Sequence, residues 1–160
     1  MAKTASFFLV LCVVVFINHI NAKPGCQKKW RPFNRKCYKF FAKHVNFTQA
    51  EKRCRHHALG GHLASINSME EFVFLLKFVR TSKSGIGPWV GIIISGGVGA
   101  RAFHWTDTSS TAFRTPLAPP CQRIGPGELS AKLIKGRKRA QAGISFIEPK
   151  DMAKGYICES

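Results

Sequence analysis

Gly60-Gly61-His62-Leu63-Ala64-Ser65-Ile66 lies between two helical patterns, and its reading decides the fold. Upstream, Thr48 to His57 predicts a helix. Thr48 with Glu51 three residues on is a capping box, and Phe47, Ala50, Cys54 and Ala58 fall on one face. That face carries Cys54 inward, where a distant partner can reach it. The glycine pair stops the helix, and His62 to Ile66 predicts a short strand. Downstream, Ser68 and Glu71 form a second capping box, and Glu70 and Glu71 suit the positive end of a helix dipole. Phe72, Leu75, Leu76 and Val79 recur as a core-facing stripe, with Lys77 and Arg80 near the negative end. Ser82 to Pro88 breaks that pattern.

Working outward, Cys37 to Phe41 is aromatic-rich and predicts a strand. Cys26 and Cys37 bracket a hairpin-sized loop suited to a local disulfide, while Lys23 to Asn34 is basic and turn-prone. Trp89 to Ser95 is β-branched and apolar, a buried central strand. Gly96 to Gly99 is a turn, and Phe103 to Thr106 is the next strand. Thr108 to Pro120 is an irregular loop, and Cys121 to Ile124 is short and strand-like. Gly125 to Gly143 shows no clear pattern. Ile144 to Ile147 and Gly155 to Cys158 predict two terminal strands. Strand, two helices, then strands define an α+β class.

The N-terminus has its own logic. Lys3 precedes an apolar run from Phe7 to Ile17, too short to span a bilayer comfortably, and Ile20-Asn21-Ala22 ends in a small residue. This predicts a secretory signal peptide over 1–22, cut after Ala22. The competing reading, a retained anchor, is opposed by Asn18, His19 and Asn21, which interrupt the apolar stretch. The remaining 23–160 suffices for one domain, secreted and extracellular, with no transmembrane anchor. Cys12 leaves with the leader, so Cys26, Cys37, Cys54, Cys121 and Cys158 remain to pair in an oxidising compartment. Five is odd, so one thiol is left over or joins a second chain.

The chain has 25 Lys and Arg against 8 Asp and Glu. Without Lys3 the count is 24 against 8, a formal +16. Such a surplus speaks to partners: sulfated glycans, anionic membranes, nucleic acid or acidic proteins. The densest basic run is Lys135-Gly136-Arg137-Lys138-Arg139. It reads as a polyanion patch, a processing site or a solvated loop. Asn46-Phe47-Thr48 is an N-glycosylation sequon, which makes Asn46 a glycoprotein attachment point. His56, His57 and His62 match no common zinc spacing, and no histidine is spaced to make Cys121 a nucleophile.

Together these landmarks resemble the C-type lectin-like domain family. The resemblance rests on the Cys26/Cys37 hairpin, Ala50-x-x-x-Cys54 and Gly60 to Ile66. It continues through Ser68-x-x-Glu71, Trp89-Val90-Gly91-Ile92 and Phe103-x-Trp105-Thr106-Asp107. Cys121-x-x-Ile124 and Tyr156-Ile157-Cys158-Glu159 complete it. It implies a disulfide-stapled α+β fold with two helices flanking antiparallel sheets and a long loop region. It also implies a Cys54–Cys158 bridge, matches Cys26–Cys37 to the family's N-terminal hairpin bridge, and leaves Cys121 unpaired. Trp89, Trp105 and Phe113 fall at family core positions, whereas Trp30 and Phe33 read as freer for surface contacts.

The departures bear on function. Sugar-binding members of this family use an acidic-Pro-amide triplet and a Trp-Asn-Asp stretch to hold calcium, which wants six to eight oxygen ligands. Here the loop is Thr115-Pro116-Leu117-Ala118-Pro119-Pro120, and the later stretch is Ser145-Phe146-Ile147-Glu148. Glu128 and Glu148 make a poor calcium site among so many cations. The expectation is a binding module, not an enzyme, with no metal and no cofactor. It would recognise acidic or sulfated glycans, heparin among them, without calcium through Lys135, Arg137, Lys138 and Arg139. The alternative is a protein-binding or anionic-membrane-binding module of host defence. Cys121 would be free, capped, or linked to a second chain as a dimer.

Overall fold

A computed structural model of the chain describes residues 25–79, 87–96, 101–117, 127–135 and 142–160. The signal-peptide reading of 1–22 and the calls on Cys121, Arg137, Lys138 and Arg139 lie outside the described residues.

A hairpin of β1 (Arg31–Phe33) and β2 (Lys36–Phe41) comes first, followed by α1 (Phe47–His57). The short β3 (His62–Leu63), α2 (Met69–Leu75), β4 (Trp89–Ser95) and β5 (Ala102–Trp105) follow. β6 (Leu129–Ile134), β7 (Gly143–Ile147) and β8 (Tyr156–Glu159) complete the chain. The strands form one eight-stranded sheet in the order β1-β2-β8-β4-β6-β7, with β3 on β8 and β5 on β4. The C-terminal strand thus enters the middle of the sheet beside β2, and β4 pairs with it in parallel at Trp89 and Tyr156. The sheet is therefore mixed rather than antiparallel throughout.

The first helix begins one residue earlier than its predicted cap. Asn46 is extended and its Oδ1 accepts from the Gln49 backbone N–H at 2.9 Å, while the Gln49 side chain accepts from the Asn46 N–H at 3.4 Å. The capping box is Asn46/Gln49, not Thr48/Glu51, because Glu51 has other work. Its carboxylate meets His62 Nδ1 at 2.7 Å and accepts the Leu63 N–H at 2.9 Å, tying α1 to β3. In α2, Ser68 accepts from the Glu71 N–H as expected of a cap. The Glu71 carboxylate, however, reaches to the Asn67 N–H and the Tyr38 hydroxyl, which turns a local motif into a tie between α2 and β2. The helix closes at Leu75 and continues as tight turns in which Lys77, Phe78 and Val79 donate three residues back. Lys77 therefore lies beyond the regular helix.

Two buried clusters flank the sheet. One gathers Phe72 and Leu75 of α2 with Val90, Ile94, Trp105, Leu133 and Ile157. The other gathers Phe47, Ala50 and Cys54 of α1 with Leu63, Trp89, Tyr156 and Cys158. Disulfides join Cys26 to Cys37 and Cys54 to Cys158, the latter across 104 residues of sequence. In the chain-entropy picture a loop of that length is worth about 4 kcal/mol. Trp30 is buried and packs edge-on to Phe41, and Phe33 stacks on Phe74 at 4.5 Å. Neither is a free surface contact. β1 lies within the stretch read as turn-prone, and β6 lies within the stretch that showed no pattern. β6 is nonetheless almost wholly buried, paired to β4 on one side and β7 on the other.

Candidate functional site

The acidic side chains are few, and the fold consumes several of them. Lys36 Nζ lies 2.8 Å from Glu159 Oε1, 3.0 Å from Ser65 Oγ and 3.4 Å from Asp107 Oδ2. Ser65 also reaches Asp107 at 2.8 Å, and its backbone N–H donates to Glu159 Oε2. Burial pushes the Glu159 carboxyl up to about 8, and a hydrogen bond with Asp107 adds to this against the opposing pull of Lys36. Burial would raise Asp107 too, but hydrogen bonds from Glu159, Ser109 and Ser65 carry it well below the usual carboxylate range. The surroundings thus favour the protonated form of Glu159 and the ionised form of Asp107, with the Lys36 ammonium beside both. Glu71 is buried, and Glu51 is spent on His62, Leu63 and, at 2.9 Å, Arg55. The surface is therefore more one-sided in charge than the composition states.

Cations gather where α1 ends beside β2. The Phe41 ring stacks with His57 at 4.1 Å and with Tyr156 at 5.0 Å. Lys39 Nζ lies 4.9 Å from the Phe41 ring centroid and 5.9 Å from that of Trp30, within cation–π range. His57 Nε2 is 3.3 Å from the Tyr156 hydroxyl. Partial burial, then the charges of Lys39, Lys43, Arg53 and His56, hold the His57 imidazole below its usual value.

At the far side of β4, the loop over 111–117 folds onto β5 and β7. Ile92, Trp105, Phe113, Ile144 and Phe146 line a largely apolar cavity of about 420 Å³, with Arg114 at its wall. Trp105 is core, as its position implied, and Phe113 packs against the same cluster. A calcium site of the kind used to hold sugar needs several carboxylate and amide oxygens. The described part of this loop offers none, and Glu148 is paired at 2.7 Å with Lys150. The richest oxygen cluster, around Ser65, Asp107 and Glu159, already holds an ammonium at its centre. Among the described residues no group of three or more His, Cys, Asp or Glu could hold a metal. The described residues do not fit a calcium ion.

The Lectin C-type domain profile matches residues 43–159. The chain belongs to the C-type lectin domain family. Snaclec dabocetin subunit alpha of Daboia siamensis is 34% identical over 105 residues, 64% of this chain and 68% of that protein. Among solved structures, CEL-IV superposes with a TM-score of 0.69 at 25% identity, over 84% of this chain and 93% of its own. The mouse scavenger receptor C-type lectin carbohydrate-recognition domain gives a TM-score of 0.65 at 26% identity, over 85% and 98%.

Within this C-type lectin domain the residues singled out from sequence are scattered. Lys135 follows β6 and is half-buried. Asn46 is half-exposed at the start of α1, its Oδ1 engaged in the cap. His62 is fixed by Glu51, and His57 lies in the aromatic stack, so these two histidines serve separate contacts. The basic cluster of α1 and β2 was not singled out. Its residues are dispersed over 39–57, and only the antiparallel run of β2 beside β8 brings them to one place. No helix among the described residues is long and apolar enough to cross a membrane.

Proposed function

We propose that this protein is a secreted C-type lectin domain, not an enzyme, that holds acidic or sulfated glycans through its basic surface without calcium. One observation carries the reading. Of the 8 acidic side chains, Glu51, Glu71, Asp107 and Glu159 are committed to internal hydrogen bonds and Glu148 is paired with Lys150, which leaves few to offset the 25 basic ones. A field of one sign survives at the surface and concentrates polyanions. Lys135, Arg137, Lys138 and Arg139 remain the proposed contacts after β6. Cys121 is proposed as the unpaired thiol, free, capped or joined to a second copy. The relative in mouse is a carbohydrate-recognition domain by name, which supports a glycan as the ligand class. The missing calcium oxygens support electrostatic rather than metal-bridged capture.

A glycan array run with calcium and again with chelator tests this. Sulfated and uronate-rich chains should bind equally in both, and affinity should fall linearly in log salt. A neutral sugar bound in high salt and lost on chelation would overturn the reading. Binding to anionic vesicles with none to heparin would favour the membrane alternative.

A further inference from the structure

We infer that the end of α1 and the adjoining β2 form an anion subsite for a sulfate or carboxylate group of a glycan, built by Lys39, Lys43, Arg53 and His57. This rests on the proposed polyanion reading and places a contact at a surface separate from Lys135. β8 and β4 stand between β2 and β6 in the sheet, so the two basic regions belong to different parts of the molecule.

Three features make the cluster a site rather than a solvated edge. First, Lys39 and His57 are held in place. Lys39 lies over two aromatic rings, and His57 is stacked flat on Phe41 with its Nε2 3.3 Å from the Tyr156 hydroxyl. Side chains fixed before binding lose less freedom when an anion arrives. Second, their charge is unspent. No ion pair among the described residues involves Lys39, Lys43, Arg53, His56 or His57, although the neighbouring Arg55 is paired with Glu51. Third, the groups disturb one another. The cations facing His57, from β2, from the turn after it and from α1 itself, all disfavour its protonation, and Tyr156 of β8 adds no charge. A bound sulfate would relieve that repulsion. Binding is then linked to proton uptake at His57, since an anion that favours the imidazolium must itself be favoured by it.

The test uses the full mature chain with heparin and with a short heparin oligosaccharide. In the first arm, K43Q/R53Q should weaken heparin binding roughly tenfold at physiological salt and shallow the log–log salt slope, while the melting temperature stays near wild type. In the second arm, the His57 imidazole is titrated by NMR with and without the oligosaccharide. Its apparent pKa should move up on binding, and affinity should rise as pH falls through that range. H104Q, on β5, should keep this rise, and H56Q/H57Q should lose it. Unchanged heparin affinity in K43Q/R53Q with an unmoved His57 titration overturns the subsite and leaves the wider reading standing. Failure of the wild type to bind heparin at all overturns both.

Discussion

Replacing Lys36 with methionine isolates the charge at the centre of the Ser65–Asp107–Glu159 cluster, because methionine keeps most of the side-chain length. The ammonium lies within 3.4 Å of both carboxylates. Removing one partner of a buried pair costs about 3–5 kcal/mol. The Lys36 side chain is 33% exposed, so water screens part of the loss and about 2–3 kcal/mol remains at pH 7. For a chain of this size that lowers the melting temperature by about 6–10 °C.

The pH dependence makes the test specific. Asp107 is depressed in the folded state, so its stabilising share is present above the unfolded carboxylate range and lost as pH falls through its folded value. Glu159 is raised to about 8, so its share is fully present below the unfolded value and lost as pH rises through 8. Lys36 is raised despite the opposing effect of burial, mainly by Glu159 and then Asp107, so its contribution persists until pH passes its own folded value. Above pH 8 the cluster carries two negative charges, and Lys36 matters more. The K36M penalty should therefore grow between pH 7 and 9, where Glu159 ionises, and stay level from pH 7 down to pH 4, where Asp107 keeps its charge. Urea denaturation of both proteins with disulfides intact, at pH 4, 7 and 9, measures it. A penalty that does not change with pH, or one below about 0.5 kcal/mol at pH 7, would show that Lys36 is only a solvated surface lysine.

Gly91→Ala places a methyl against the Leu63 carbonyl and Thr106 Oγ1, at 2.5 and 2.7 Å, and the carbonyl belongs to sheet backbone that cannot yield. It should cost about 2–3 kcal/mol by denaturant titration, the range for overpacking, whereas Gly25→Ala meets nothing and should be neutral. Asn46→Ala should remove the α1 cap for about 1 kcal/mol, and Asn46→Asp should restore it. Glycosylation through Nδ2 leaves Oδ1 free to accept, so the glycosylated and bare proteins should melt alike. Millimolar calcium should leave the melting curve unmoved. A ligand at a hundredfold excess over its Kd would raise stability by about 2.7 kcal/mol, so a shift of that order would restore a calcium site.

Where local chemistry and tertiary role coincided, the sequence was readable. Trp89–Ser95 is apolar along its length because both faces are covered, and β4 has those very bounds. The α1 stripe of Phe47, Ala50 and Cys54 is buried as its period requires. The failures share one cause. Thr48/Glu51 satisfies the capping pattern, but Glu51 is drawn away by His62 and Leu63, and Asn46/Gln49 takes the cap. Glu71 is likewise claimed by Tyr38 and Asn67. β6 escaped notice because Leu129-Ser130-Ala131-Lys132 breaks its apolar run. Its Lys132 leans over the Trp89 ring and donates to the Met152 carbonyl, while Ser130 is buried outright. Polar side chains with distant partners cannot be told from solvated ones by period alone.

The same reasoning explains why a charge run is a poor guide to a site. Lys135 to Arg139 stands out only because its members are adjacent in sequence, and a polyanion responds to adjacency in space. Lys39, Lys43, Arg53 and His57 are spread over two elements, and the Cys54–Cys158 bridge with the β2–β8 pairing brings those elements together. A basic surface assembled this way depends on the fold in a manner that charge adjacent in sequence does not. Reduction of Cys54–Cys158 should weaken heparin binding through the α1–β2 cluster before it affects contacts made by the run after β6. Loss of affinity in parallel with loss of the α1 contacts, read by hydrogen exchange across 47–57, would tie the two together. Full heparin affinity in the reduced, loosened protein would mean that linear charge suffices and that the arrangement of α1 against β2 contributes nothing to binding.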